Sequence, residues 1–245
     1  ESVRQSVNSA LAINPSDMEV LGAAAVIFEK SHSLGEATVY LSALSEMRPM
    51  DVDLIAKLGD LYFQTRNTES AEVYLRRAWD LHARQPNVAK ELGQIEAKKE
   101  VYAESLRFFE ESLRLNPDDA ETWFLRAESA RHLNDWERTA DSLETGLALQ
   151  PSQLAHRTTL VQLYLERQDR NSVVRLIQPI IKDPPPDAEI RADYAEFLEQ
   201  AGQNNSALVL WTAALDLDPS MENAHYGIAR ILFDKGDFAG CLRAA

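Results

Sequence analysis

The chain has 245 residues, a formal net charge of −14 at pH 7 and a hydrophobic content of 45%. An acidic chain has no basic face to neutralise phosphates, which argues against a nucleic-acid ligand and against binding to an anionic membrane surface. The apolar content argues against disorder, and the longest uninterrupted apolar run, Leu21 to Phe28, is far too short to cross a bilayer.

One proline register runs along the chain with a period of 34 residues. Six of its seven positions are proline, and Ala83 takes the seventh; the prolines are Pro15, Pro49, Pro117, Pro151, Pro185 and Pro219. A fixed period of this length indicates a repeat array, in which each unit buries its apolar face against its neighbours. The whole chain, 1–245, is therefore predicted to be a single array. Full repeats are predicted over 18–51, 52–85, 86–119, 120–153, 154–187 and 188–221, with the second helix of a partial repeat in 1–17 and a further partial repeat in 222–245.

Small and large apolar residues occupy fixed positions when each repeat is numbered from its first residue. Position 8 is small at Ala25, Gly59, Gly93, Ala127, Ala195 and Ala229, and position 24 is large at Leu41, Leu75, Phe109, Leu143, Ile177 and Trp211. Positions 4, 7, 8 and 11 share one face of a first helix, and positions 20, 24 and 27 share one face of a second. The small residues let the two helices approach to about 8–10 Å. Helix N-caps are predicted among the residues that follow the prolines, at Ser16-Asp17, Asp51, Asp118-Asp119, Ser152, Asp187 and Ser220.

These residues and spacings resemble the tetratricopeptide repeat, a helix–turn–helix unit of the same length. Repeat 52–85 carries the pattern at Ile55, Leu58, Gly59, Tyr62, Ala71, Leu75 and Ala78, and repeat 86–119 carries it at Leu92, Gly93, Ser105, Phe109, Ser112 and Pro117. The resemblance covers the whole chain and implies an all-α fold, a right-handed solenoid of antiparallel helix pairs. It does not identify a function, because one fold serves many functions.

Two features depart from the repeat pattern. Repeat 154–187 has Val161, Val173 and Ile180 at its small positions and Pro179 inside its second helix. We expect the two helices to lie farther apart and the second to be kinked or shortened, which leaves open a hinge or ordinary local repacking.

Position 4 becomes basic late in the chain, at Arg157, Arg191 and His225. These side chains are interpreted either as a ridge that contacts anions or as stems lying over apolar surface with their charged heads in water.

The sequence contains no residue pattern typical of a catalytic, cofactor-binding or metal-binding site. The single cysteine, Cys241, excludes a multi-cysteine zinc site, and the five histidines fall at unrelated repeat positions. Phosphate loops, dinucleotide fingerprints and nucleophile elbows are missing from the sequence. The chain is therefore predicted not to be an enzyme, and no cofactor or metal is expected.

The resemblance implies that the first helices line a concave groove. Repeat positions 2, 5, 9, 12 and 13 point away from the predicted core, so they are the candidate ligand positions. Acids outnumber bases there, which favours a basic or a polar and apolar partner segment over an acidic one, and apolar residues such as Phe63, Phe124 and Tyr226 are candidate anchors. The predicted groove comprises Asp60, Phe63, Lys90, Gln94, Phe124, Glu128, Arg131, Gln162, Leu165, Tyr226 and Arg230. The alternative is that this face is merely solvated, with a few of its apolar residues touching the next helix.

The predicted function is a protein–protein interaction scaffold that holds an extended or helical segment in this groove, as part of a larger polypeptide or assembly. Phe124→Ala or Arg131→Ala is expected to weaken partner binding without unfolding the chain. Two alternatives stay open: homo-oligomerisation through uncapped solenoid ends, and regulation of an enzyme or an export machine that lies outside this sequence. The compartment is not determined; the cytoplasm is slightly favoured, and the periplasm fits if a leader was removed.

Overall fold

The computed structural model describes residues 2–82 and 84–244, so Ala83, the exception in the proline register, lies outside the described residues. The described residues form fifteen α-helices and contain no β-strand. The helices are α1 (Ser2–Ile13), α2 (Met18–Lys30), α3 (Leu34–Met47), α4 (Val52–Gln64), α5 (Thr68–Asp80), α6 (Pro86–Lys98), α7 (Tyr102–Leu115), α8 (Ala120–His132), α9 (Trp136–Leu149), α10 (Leu154–Glu166), α11 (Arg170–Lys182), α12 (Ala188–Gln200), α13 (Asn204–Leu215), α14 (Glu222–Asp234) and α15 (Phe238–Ala244). The predicted all-α fold is confirmed, and two helices begin within each predicted full repeat.

Aspartates begin many of these helices. Asp17 and Asp119 each accept hydrogen bonds from two backbone N–H groups in the first turn of the helix that follows, and Asp51 and Asp187 each accept one. Their carboxylates accept hydrogen bonds from N–H groups that have no partner within the helix. Their negative charge is stabilised by the positive end of the helix dipole. The predicted caps Ser152 and Ser220 are wrong, because α10 and α14 begin after Gln153 and Met221, whose side chains make no capping hydrogen bond.

The two helices of a pair pack closely at repeat position 8. A Cβ atom added to Gly59 would lie 2.8 Å from the side chain of Leu75, and one added to Gly93 would lie 2.6 Å from the ring of Phe109. Leu75 and Phe109 are themselves fully buried. The large residue at position 24 therefore occupies the space that the missing side chain at position 8 leaves, as the sequence pattern predicts.

Each turn between the first and second helix of a pair has one residue with a left-handed backbone conformation. This residue is always at repeat position 15, and its φ angle lies between 56° and 77° at His32, Arg66, Glu100, Asn134, Gln168, Gly202 and Gly236. The conformation ends the first helix and reverses the chain. Only two of the seven residues are glycine, so the turn tolerates the cost of a side chain at this angle.

Side chains at repeat position 4 form hydrogen bonds to backbone carbonyls of the preceding turn. The indole N–H of Trp123 donates to the carbonyl of Pro117, Arg157 donates to the carbonyl of Pro151, and each bond spans six residues. The same bond joins Arg191 to Pro185, and His225 Nε2 lies 2.9 Å from the carbonyl oxygen of Pro219.

Both interpretations of the basic residues at position 4 are therefore wrong for the arginines. Arg157 is 6% exposed and also donates to the carbonyl of Leu176, and Arg191 also donates to the carbonyl of Ala213. Their guanidinium groups donate to backbone carbonyls of the preceding turn and of the second helix of the same repeat. These bonds help to fix the geometry of the turn.

Repeat 154–187 keeps its helices despite its substitutions. The backbones of α10 and α11 approach closely at fewer places than those of α4 and α5, as the bulky Val161 and Val173 predict. However, α11 runs without a break from Arg170 to Lys182 with the exposed Pro179 inside it. The expected shortening is wrong, and the hinge stays a prediction.

The chain divides into two compact units, one up to Ser142 and the other from Leu143 on. In the first unit, α2 packs on α3, α4 on α5 and α6 on α7, and the first helices α4, α6 and α8 also contact one another in order. In the second unit, α10 packs on α11, α12 on α13 and α14 on α15, and α10, α12 and α14 contact in order. Each first helix in these runs therefore has neighbours on more than one side. That the two units belong to a single array stays a prediction.

Gly93→Ala is expected to lower the free energy of unfolding by about 1–3 kcal/mol, because the new methyl group overlaps the buried ring of Phe109. Gly22→Ala is the matched control. No atom lies within 4 Å of a Cβ added there, so it is expected to stabilise α2 by up to about 1 kcal/mol through helix propensity. Urea denaturation followed by circular dichroism measures both changes. Shifts of the same sign in the two variants would contradict the packing account.

Candidate functional site

The exposed strip of the first helices is narrower than the sequence predicted. Residues at repeat positions 2 and 13 are exposed throughout the described repeats, and those at position 9 are exposed or half-buried. Position 5 is different: Ala56, Phe124 and Ala192 are buried. These three side chains lie on α4, α8 and α12, each of which contacts at least one neighbouring first helix of its own unit. Tyr226, at the same position of α14, is exposed.

Phe124 is the clearest correction. It is 7% exposed, so its prediction as a solvent-exposed anchor is wrong. The remaining groove residues of the first unit are placed at or near the surface. Glu128 and Arg131 are exposed, and Asp60, Phe63, Lys90 and Gln94 are half-buried.

Two of these residues are engaged within the unit. The Nζ atom of Lys90 lies 3.0 Å from Asp119 Oδ2 and 2.6 Å from Glu121 Oε2. Burial by itself would lower the pKa of Lys90, but the hydrogen bonds to Glu121 and Asp119 outweigh it and raise that pKa. Lys90 therefore ties α6 to the start of α8. The Nζ atom of Lys98 lies 5.4 Å from the centroid of the Phe63 ring, a cation–π arrangement.

The second unit contains the other four predicted groove residues. Gln162, Tyr226 and Arg230 are exposed, with Tyr226 at 67%, and Leu165 is half-buried. The Arg230 guanidinium lies 5.6 Å from the ring centroid of Tyr226 and forms an ion pair with Glu199. Tyr226 thus presents an aromatic face beside a fixed cation, an arrangement typical of binding anchors.

Two cavities open between adjacent first helices at equivalent places. One, of about 210 Å³, lies in the first unit; its lining residues are Ala97, Lys98, Tyr102, Leu125, Glu128, Ser129 and His132. The other, of about 660 Å³, lies in the second unit; its lining residues are Gln162, Leu165, Glu166, Phe197 and Gln200. Four residues of the second correspond to four of the first at a spacing of 68, two repeat lengths.

The walls of these cavities combine apolar and polar groups. In the first, the rings of Tyr102 and His132 stack with their centroids 4.2 Å apart, and Glu128 provides a carboxylate. In the second, Leu165 and Phe197 provide the apolar wall and Gln162 and Gln200 provide amides. Such walls can accept an apolar side chain and hydrogen-bond the chain that carries it.

Glu91 is a residue that the sequence analysis missed. It occupies repeat position 6 of α6 and is 8% exposed, and it lies in hydrogen-bonding reach of Asp60 on α4. Burial raises the pKa of Glu91 to about 9; the hydrogen bond and the charge of Asp60 act in the same direction, and Lys90 acts against them. No sequence signal marks it, because a glutamate on a first helix reads as solvated surface.

A metal site and a membrane-spanning helix are two further possibilities for the described residues. Across 2–82 and 84–244, no group of three or more His, Cys, Asp or Glu side chains is placed to hold a metal ion. Of the helices in that same part of the chain, none combines the length and the apolar character needed to cross a membrane.

The tetratricopeptide repeat family model matches residues 56–120, 90–153 and 198–240, which together make up more than half of the chain. The chain belongs to the tetratricopeptide repeat family. The family is a scaffold family, typically non-catalytic, whose members bind proteins or peptides.

Relatives of known sequence or structure agree with this assignment. The tetratricopeptide repeat-containing protein trd-1 of Caenorhabditis elegans is 22% identical over 191 residues, which is 78% of this chain but only 24% of trd-1. The chain therefore spans about a quarter of that relative.

Among solved structures, the C-terminal part of a TPR protein from Cytophaga hutchinsonii superposes with a TM-score of 0.65 at 12% identity, covering 91% of this chain and 92% of that one. The TPR protein YrrB superposes with a TM-score of 0.60 at 15% identity, covering 76% and 96%. At these identities the likeness establishes the fold alone.

Phe124→Ala is expected to lower the free energy of unfolding by about 3–5 kcal/mol, because it removes a buried aromatic ring. Arg131→Ala, at an exposed position seven residues later on the same helix, is expected to change it by less than about 0.5 kcal/mol. Urea denaturation of both variants tests the corrected orientation of α8. Equal midpoints for the two would contradict it.

Glu91→Gln is expected to make stability less sensitive to pH. The unfolded chain releases the Glu91 proton near the ordinary value of 4.5, whereas the folded chain holds it to about 9. The wild type therefore loses stability as pH rises between these values, and the glutamine variant does not lose that part.

The two proteins should be about equally stable near pH 4.5, and the variant should exceed the wild type by on the order of 5 kcal/mol at pH 8, since each pH unit between 4.5 and 8 contributes about 1.4 kcal/mol. The control is Glu128→Gln, at an exposed position, which should show no such divergence. Urea denaturation midpoints at a series of pH values measure how the difference in stability changes with pH. A constant difference between wild type and Glu91→Gln would refute the buried, protonated carboxyl.

Proposed function

We propose that this chain is a binding scaffold, not an enzyme, and that it holds an extended or helical protein segment along the exposed strip of its first helices. The observation that carries the proposal is that a cavity recurs at equivalent repeat positions. It lies between Ala97 and His132 in the first unit and between Leu165 and Gln200 in the second. A single surface cavity has many explanations. Cavities at equivalent positions in two repeat pairs suit a ligand that is itself a regular chain.

The chemistry of the strip supports a protein segment as that ligand. Both cavities combine an apolar wall with amide or carboxylate groups, which suits a backbone carrying apolar side chains. Tyr226 and Arg230 add an exposed aromatic and guanidinium pair in the second unit. The solved structure of YrrB, which shares the fold, is described as that of a TPR protein with an unusual peptide-binding site.

The charge of the strip favours a partner that is not acidic. Position 2 is acidic at Glu19, Asp53, Glu121 and Glu189, and position 9 adds Asp60, Glu128 and Glu196. An acidic segment would be repelled during the encounter, and a basic one would be attracted. Homo-oligomerisation and the regulation of an enzyme or export machine stay predictions beside this proposal.

Selection of random peptides on the immobilised chain, followed by titration of synthetic peptides by fluorescence anisotropy, tests the proposal. Arg131→Ala in the first unit and Gln162→Arg in the second are each expected to weaken binding about tenfold for a peptide that crosses their position, a loss of about 1.4 kcal/mol. Each change has a matched control away from the strip, Arg107→Ala on α7 and Gln178→Arg on α11, all four residues being exposed.

The controls are expected to bind as the wild type does. Peptides whose affinity falls equally in the controls and in the strip variants would place the binding surface elsewhere. A selection that recovers no saturable ligand from an unbiased library would contradict the proposed function itself.

A further inference from the structure

Two carboxyl groups on adjacent first helices face each other in the first unit. Asp60, on α4, is half-buried on the strip, and Glu91, on α6, is 8% exposed. The two side chains are within hydrogen-bonding reach of each other. The Oε2 atom of Glu91 is buried and finds no hydrogen-bond partner among the described residues. A buried oxygen without a donor is costly, so it calls for an explanation.

Two other contacts between neighbouring first helices join opposite charges. Between α2 and α4, Lys57 Nζ lies 2.5 Å from Glu29 Oε2, and Lys57 occupies the same repeat position as Glu91. Between α12 and α14 in the second unit, Arg230 forms an ion pair with Glu199. By comparison, the contact between α4 and α6 has two acids where the others have an acid and a base.

The side chains around Asp60 and Glu91 do not direct a positive charge to the two carboxyl groups. Lys90, the cation nearest to Glu91 in the chain, directs its ammonium to Asp119 and Glu121, 3.0 and 2.6 Å away. The Gln64 amide donates to Asp60 Oδ1 at 2.9 Å, but it is neutral. The pair is thus under-supplied with positive charge from inside the unit.

We infer that Asp60 and Glu91 form a pocket for an arginine side chain of the bound partner. A guanidinium has five N–H donors in a planar fork and no acceptor, so one group can bond both carboxyl groups at once. Asp60 provides the entrance, because it is the half-exposed member. As the guanidinium enters, the hydrogen bond between the carboxyl groups opens, Glu91 gives its proton to solvent, and its oxygens accept donors from the ligand.

This inference rests on the proposed function, since it specifies one side chain of the segment held on the strip. Its test needs no natural partner. The probe is N-acetyl-arginine N-methylamide, titrated into the ¹⁵N-labelled chain at constant ionic strength, and the reference probe is the citrulline derivative, which has nearly the same shape without the charge. Saturable shifts are expected at the amide signals of α4 and α6 for the arginine derivative. The citrulline derivative is expected to bind about tenfold more weakly.

Three variants complete the test. Glu91→Gln and Asp60→Asn are each expected to weaken binding of the arginine derivative about tenfold, because a charge-assisted hydrogen bond becomes a neutral one. Glu128→Gln, a carboxylate on the same strip exposed to solvent, is expected to leave it unchanged. Equal binding of the arginine and citrulline derivatives, or equal effects of all three variants, would overturn the pocket.

The outcomes separate this inference from the proposed function. Specific binding of the arginine derivative together with a failed peptide selection would leave the pocket and remove the scaffold proposal. Selected peptides that bind Glu91→Gln as tightly as the wild type, and that contain no arginine in common, would leave the scaffold and remove the pocket.

Discussion

Everything in this structure depends on how closely the two helices of each pair approach. At Gly59 and Gly93 the gap between the helices has no room for a methyl group, because Leu75 and Phe109 fill it. Backbone contact of this kind fixes the distance and the rotation of the first helix relative to the second. The rotation in turn decides which residues of the first helix reach solvent. The surface proposed to bind a partner is therefore a consequence of packing at a buried position on the opposite face.

The first helices also pack on one another, and this second contact narrows the binding surface. It buries Phe124 at repeat position 5 and leaves positions 2, 9, 12 and 13 exposed or half-buried, as the strip proposed to touch a partner. It also creates the cavities between successive first helices. The same contact brings Asp60 and Glu91 together, since they lie on neighbouring first helices and not on one pair. The surfaces proposed to select a partner thus lie where adjacent repeats meet.

The sequence predicted the helix pairs well because their packing is encoded within one repeat. The spacing between Gly93 and Phe109 is visible in the period, and the structure places them in contact. Phe124 was misjudged and Glu91 was missed, because the burial of both depends on the neighbouring repeat, which a pattern within one repeat does not show.

The left-handed turn residues at position 15 were also invisible. Five of the seven are not glycine, so no residue type marks the conformation. Arg157 and Arg191 were misread for a related reason: their partners are backbone carbonyls, which carry no sequence signal.

The most direct measurement of the central claim is paramagnetic relaxation enhancement from a selected peptide that carries a nitroxide label at one end. The account predicts that amide signals at positions 9, 12 and 13 of the first helices broaden most, in an order along the chain that follows the label when it is moved to the other end. Broadening confined to the second helices, such as α7 and α11, would contradict it.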